Sequence, residues 1–317
     1  MSSRTVAEIP APEDWDFGDF PYGLEPLTLP DPPTGDSGIP DVGPPAKETA
    51  GAAVTCPCPR TGPALGSPEL AQQLFWFRWI TGHQATFAIW QLLAHALHQA
   101  RSRQDPGTAL TVMGDLTRAY TAMLLYTSSC PKDVYSAVIR PSMFLQHRGF
   151  SGTWAPDFVP VRGLLRGKKF EWNGAPEGKE LAREVRMYHT VHAGVAAKLV
   201  PDGRSLLQET AVTNRLPHPR TQAVVYDNFF LTLRAPVPTA EVVEQLRRRL
   251  RAVTLDTATN GLYPGMTPEE DRALPGELRD GEVPAYERDF HAILHRVDLL
   301  AAGLTPRLLD SGPRSRK

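Results

Sequence analysis

From Ser67 onward, apolar residues recur with the three-to-four-residue spacing of amphipathic helices. "SPEL" sets a capping Ser67 before a Pro at the first helical position, with Glu close behind. The spacing predicts a long helix from there to about Ala100. "DPGTALTVMGDLTRAYTAMLLYTSS" opens on a second cap and runs to about Tyr126. Residues 131–140 predict a short helix, followed by a Gly-, Trp- and Pro-punctuated loop through about 160. "VPVRGLLRG" is a short helical piece. "PEGKELAREVRMYHTVHAGVAAKLV" is a third long helix, ended by "PDG". "TAEVVEQLRRRLRAVTLD" and "AYERDFHAILHRVDLLAAGL" predict two more. "RTQAVVYDNFFLTLRAPVP" is ambiguous, and its β-branched and aromatic content suits a strand. Helix dominates and no internal repeat is apparent, so residues 67–317 read as an all-α domain.

Residues 1–66 are different. They are rich in Pro, Gly and Asp, a composition that forms no helices and buries little. Yet they carry Trp15, Phe17, Phe20 and Tyr22. These rings suit an extended arm lying on the body or on a partner subunit; a free tail is the alternative. The formal net charge of -1 offers no footprint for nucleic acid, and "RRRLR" at 247–251 reads as a solvated helix face. The longest apolar run falls short of the ~18 residues of a membrane span. The N-terminus has no basic region followed by an apolar stretch, so no secretory signal is expected. Three cysteines, Cys56, Cys58 and Cys130, suit a reducing cytoplasm rather than a disulfide framework. Cys56 and Cys58 form C-P-C, without the spacer of a zinc or redox pair.

The chemistry sits on two helices. On the third long helix Leu181, Val185, Tyr188, His192, Val195 and Leu199 step by four and three, the spacing of a buried stripe. His192 is therefore expected to point into the core, with His189 to one side. Ala193, Gly194, Ala196 and Ala197 around it leave room for something flat and wide. On the first helix His83 shares a face with Trp76, Trp79, Ile80, Phe87 and Trp90. A neutral His there can accept or donate a proton near neutral pH. Either could instead be a core His bonded to a backbone carbonyl. Two histidines on separate core helices suggest a haem, one ligating iron and the other facing the opposite side.

These residues resemble a known family. "GHQATFAIWQLL" is similar to the distal-histidine helix of tryptophan 2,3-dioxygenase. Arg140 in "VIRPSM" and the following "RGFSGTW" resemble its carboxylate-binding Arg and the loop after it. "MYHTVHAGVAAKLVPDGRS" resembles the proximal-His helix and a loop closing over substrate. The likeness spans about 70–235. The dioxygenase's Gly-Thr-Gly-Gly loop is absent, "PDGRSLL" standing in its place, and Trp79 takes the place of a Phe. "RPSMFLQHRGFSGTWAPDFVPVR" is more similar to the bacterial haem-dependent tyrosine hydroxylases of natural-product pathways, in the same histidine-ligated aromatic oxygenase superfamily. Their 3-methyltyrosine branch attaches haem through a Cys four residues after a His; Ala196 stands at that distance from His192.

The resemblance implies a helical bundle enclosing a non-covalent b-type haem, with L-tyrosine as substrate. His192 would ligate the iron, with His189 as the fallback. His83 would hold the phenol oxygen, setting the ring's 3-carbon near the iron and taking the phenolic proton. Arg140 would clamp the substrate carboxylate. Trp79 and Phe87 would line the ring pocket, Ser205 would touch the amino-acid backbone, and Arg162 and Arg166 would pair with the propionates. The implied product is 3,4-dihydroxyphenylalanine, made with hydrogen peroxide or with dioxygen plus a reductant. No flavin, nicotinamide or iron–sulfur motif is present in the sequence. The rivals are an indole oxygenase acting on tryptophan and a haem-binding helical protein without turnover. A homo-oligomer, most simply a dimer, is expected, because closed two-fold assemblies are the commonest, with residues 1–66 helping to form it; the resemblance to dioxygenases that are tetramers with interlocked N-termini implies that the arm lies on a neighbouring subunit.

Overall fold

Burial along the first long helix sets the architecture. The computed structural model describes residues 23–32, 57–102, 106–200, 203–210 and 216–310. Helix α1, Pro68–Ser102, is buried from Leu74 to Ala100 with few breaks. A helix apolar all round belongs inside a bundle, not on its surface. The chain turns back into α2, Gly107–Thr127, which packs along α1. Helices joined by so short a link run antiparallel. A short helix α3, Lys132–Val134, leads through a π turn at Tyr135–Ile139 into α4, Arg140–Gln146. Helix α5, Phe158–Leu165, follows, and then α6, Pro176–Leu199, which also packs along α2.

Beyond α6 come α7, Leu206–Thr210, α8, Pro219–Phe229, and α9, Thr239–Asn260. Three short helices, α10 (Pro268–Arg272), α11 (Gly276–Arg279) and α12 (Val283–Arg288), precede α13, Phe290–Asp310. The architecture is the expected all-α bundle.

Three expectations need correction. "RRRLR" is not a solvated face throughout: Arg249 and Leu250 are buried, and Arg249 donates to Gln84 and to the Glu25 carbonyl. The segment 219–234 is mostly helix. Tyr226, Phe229 and Phe230 bury their rings at helical spacing, and only Thr232–Arg234 forms a strand. The final helix is also broken: Pro284 opens α12, and the chain re-enters helix at Phe290.

Parts of the Pro-rich segment belong to the body. Strand β1, Leu27–Leu29, pairs in parallel with β3, Thr232–Arg234, and both leucines are fully buried. Strand β2, Thr61–Gly62, pairs in parallel with β4, Tyr263–Pro264. Glycine is needed here: a Cβ on Gly62 would run into the Asn260 carbonyl, and one on Gly261 would lie 2.7 Å from the Gly62 nitrogen. Gly261 also has φ 70°, a conformation glycine adopts without strain. Trp15, Phe17, Phe20, Tyr22 and Cys56 lie outside the described residues.

Buried ions lock the elements together. Arg78 of α1, fully buried, donates to both oxygens of Asp256 on α9 at 2.8 and 3.0 Å and to the Leu262 and Gly261 carbonyls. Arg234 of β3 grips Asp157 and Asp227 at 2.7 and 2.8 Å, and Gln91 of α1 donates to the same Asp157. Each buried charge is paired and hydrogen-bonded, the condition for burying it at tolerable cost. Among the described residues, no helix is long and apolar enough to cross a membrane.

Candidate functional site

His83 stands half-buried on α1 in a cage of rings. Phe230, just past α8, stacks on it at 4.5 Å and 20°, and Trp79 lies at 4.4 Å. Its Nδ1 is 2.6 Å from the Trp79 carbonyl. A carbonyl only accepts, so Nδ1 carries the proton and Nε2 keeps a free lone pair. No other hydrogen bond reaches the ring among the described residues. Burial lowers its pKa from 6.5 to about 4, against a smaller upward pull from the Trp79 carbonyl. At neutral pH His83 is an uncharged imidazole with one open acceptor nitrogen.

Gln84, the next residue, fixes the cage. Its amide donates to the Phe230 carbonyl at 2.9 Å and to the Glu25 carbonyl at 3.0 Å, and its oxygen accepts from buried Arg249 at 3.0 Å. The ring that stacks on His83 is therefore held from its own backbone.

A series of aromatic contacts runs from this cage to α6. His83, Phe87, Trp90, Tyr120, Tyr188 and His192 follow one another with centroids 6.3, 5.9, 5.1, 5.0 and 5.8 Å apart. The two histidines thus border one aromatic wall, built from α1, α2 and α6. Tyr120 and Tyr188 pack ring to ring, and burial raises both of their pKa values.

His192 is not in the core, as its spacing predicts, but exposed, as is His189. Leu181, Val185, Tyr188 and Leu199 of the same stripe are buried. The buried face shifts at Val191 and Gly194, because Leu278 of α11 docks so closely on Gly194 that a Cβ there would lie 2.9 Å from its Cδ2. The stripe is therefore open at His192, with Val195 and Ala196 half-buried beside it. Crowding nonetheless lowers the His192 pKa, first by desolvation and then by the neighbouring His189. His189 is committed, its Nε2 lying 2.7 Å from the Leu165 carbonyl of α5. His192 has no hydrogen-bond partner among the described residues.

The other expected site residues divide. Trp79 and Phe87 lie on the His83 cage, and Trp79 also touches Tyr135 at 5.9 Å. Arg140 follows the π turn and lies close enough to Tyr135 for its charge to pull against the rise that burial gives that hydroxyl's pKa, so it borders the cage through Tyr135 and Trp79. It is not open, however: its Nη2 donates to Glu209 at 2.7 Å and to the Arg204 carbonyl at 3.3 Å. Ser205 accepts from the Gln208 amide and caps α7, so its hydroxyl serves that helix. Arg162 and Arg166 lie on and just after α5, beside the Leu165 carbonyl that holds His189. Neither forms an ion pair among the described residues, and Arg162 Nε is buried without a partner.

Local sequence pattern does not point to Phe230, Tyr135 or Glu209. Phe230 lay in a stretch suited to a strand. Tyr135 stands five residues before Arg140, a spacing that only a π turn brings to one side. Glu209 carried no pattern at all.

A haem needs one neutral imidazole, a broad apolar wall and cations for its propionates. His192 is free and held neutral, the aromatic wall is present, and Arg162 and Arg166 are unpaired cations next to α6. Trp79 Nε1 and Trp90 Nε1 are buried polar atoms without partners in the same wall. These residues fit the group. Among the described residues no three or more of His, Cys, Asp and Glu come together to cage a bare ion; an iron held in a porphyrin asks the protein for one ligand.

Residues 35–186, just under half of the chain, match the family model described as SfmD 3-methyl-L-tyrosine peroxygenase. Over that stretch the chain is similar to a peroxygenase of a tyrosine-like substrate. The match supports an oxidoreductase of that kind. It takes in Trp79, His83, Phe87, Arg140, Arg162 and Arg166, and ends before His189 and His192. A search of curated proteins finds no match.

Proposed function

We propose that this protein hydroxylates L-tyrosine at ring carbon 3, giving 3,4-dihydroxyphenylalanine for natural-product biosynthesis, with a non-covalent b-type haem. The observation that carries the proposal is the neutral His83, its Nε2 open inside a cage of rings, within the stretch that matches the peroxygenase family. The haem would be held by His192, with Arg162 and Arg166 at its propionates. When bound it supplies the redox chemistry by which an oxygen from hydrogen peroxide, or from dioxygen with an external reductant, reaches the ring.

The chain's own residues do the rest. His83 Nε2 accepts the phenolic hydrogen bond and fixes the ring's position, since its Nδ1 is pinned to the Trp79 carbonyl. As electron density moves from oxygen into the ring, the same nitrogen takes the phenolic proton. Trp79, Phe87 and Phe230 exclude water and set the ring plane. Arg140 holds the amino-acid carboxylate. With peroxide, one ring hydrogen is replaced by hydroxyl and one water leaves. Ala196 stands four residues after His192 where a thioether Cys would be needed, which supports a dissociable haem. The assembly in this reading is a homo-oligomer, most simply a dimer.

A second reading follows from the family description, in which the substrate is 3-methyl-L-tyrosine. Product analysis by mass after incubation with peroxide separates the two. A gain of one oxygen on L-tyrosine supports the proposal. Turnover of 3-methyl-L-tyrosine alone supports the second reading. Turnover of tryptophan alone, or of none of the three, overturns both.

A further inference from the structure

The ion pair at Arg140 resembles the contact a substrate would make. Arg140 is only 13% exposed, whereas its partner Glu209 is 46% exposed. Two groups accept from the guanidinium: the Arg204 carbonyl and the Glu209 carboxylate. The first is neutral and the second is charged. Only Glu209 is chemically equivalent to an amino-acid carboxylate. It reaches Arg140 through one oxygen, from a helix of five residues.

We propose that Glu209 is an internal stand-in for the substrate carboxylate, and that substrate binds by displacing it from Arg140. This inference rests on the reading of the site as one for an amino acid with a phenol ring. The Arg204 contact stays, so the guanidinium keeps its orientation while its charged partner changes. A carboxylate arriving beside an undisplaced Glu209 would meet a like charge, which opposes binding. Glu209 thereby sets the selectivity of the site. A ligand without a carboxylate cannot replace it and gains nothing from Arg140. A ligand with one exchanges an exposed ion pair for a more buried one.

The exchange has a measurable size. Partly exposed ion pairs stabilise by up to about 1 kcal/mol, so removing the competitor raises affinity roughly two- to fivefold. The test is calorimetric titration of L-tyrosine and of tyramine, which lacks the carboxylate, into haem-loaded wild type, Glu209→Gln and Glu209→Ala. Both variants are expected to bind L-tyrosine tighter by that factor and to leave tyramine affinity unchanged. Equal or weaker L-tyrosine binding in both variants overturns the displacement and makes Glu209 a support for Arg140. An equal gain for tyramine also overturns it, since the effect would not depend on the carboxylate. Wild type that binds neither compound overturns the functional reading itself, and this inference with it.

Discussion

Replacing His83 by Gln tests how the imidazole is held, through stability rather than turnover. In the folded haem-free chain burial lowers the His83 pKa to about 4, against 6.5 for an unburied ring. The sign follows from proton uptake. Above pH 6.5 neither state binds a proton at His83, and stability does not depend on it. As pH falls below 6.5 the unfolded chain takes up the proton and the folded chain does not, so stability is lost. The loss levels off below about pH 4, once the folded ring is protonated as well. At pH 4.5 it amounts to about 2.5 kcal/mol for this one group. Glutamine cannot be protonated and escapes the loss. It gives up the 2.6 Å bond to the Trp79 carbonyl, which costs about 1 kcal/mol at any pH. The two effects oppose each other: the variant is about 1 kcal/mol less stable than wild type at pH 7 and about 1.5 kcal/mol more stable at pH 4.5. Urea unfolding at both pH values, read from midpoint and slope, measures this. Stability curves that fall in parallel would refute the account, because His83 would then be protonated in the folded chain.

Other expectations follow from the same geometry. Arg140→Leu raises the Michaelis constant for L-tyrosine by an amount equivalent to about 2–3 kcal/mol while leaving haem content unchanged, as a charge-assisted contact is lost; haem titration alongside steady-state kinetics shows whether the two separate. His192→Ala loses haem, whereas His189→Ala keeps it and gives up about 1 kcal/mol of stability with the bond to the Leu165 carbonyl; the reverse pattern would move the ligand to His189. Gly82→Ala destabilises by about 1–3 kcal/mol, because the added methyl meets the Thr127 methyl and lies 3.0 Å from the Tyr126 ring; an unchanged melting temperature would mean that α1 and α2 are looser than described.

Much of the bundle is written in local pattern. Ser67-Pro68 and the Pro-Glu opening of α6 announce their helices, because caps and periodicity act within a turn or two. What failed was long-range. The helix ending at Phe229 reads as strand, since its Val and Phe content is overridden by packing of Tyr226, Phe229 and Phe230 against α1 and Phe150. His192 reads as buried because periodicity assumes an unbroken partner surface, and the docking of Leu278 on Gly194 breaks it. The cage residues on α1 were legible, being neighbours on one face. Phe230 was not, because a contact across 147 positions leaves no trace in spacing. Nor was Glu209, whose pairing with Arg140 depends on where α7 comes to rest.

The central question is whether His192, on the open face of α6, holds a haem. The direct measurement is the visible spectrum of the purified chain with a haem assay, before and after acid-acetone extraction, and with L-tyrosine added. The account predicts a Soret band, one haem per chain that passes wholly into the acetone phase, and a shift of the band on addition of L-tyrosine. No Soret band after reconstitution with excess haem would contradict it, and so would a spectrum that L-tyrosine leaves unmoved.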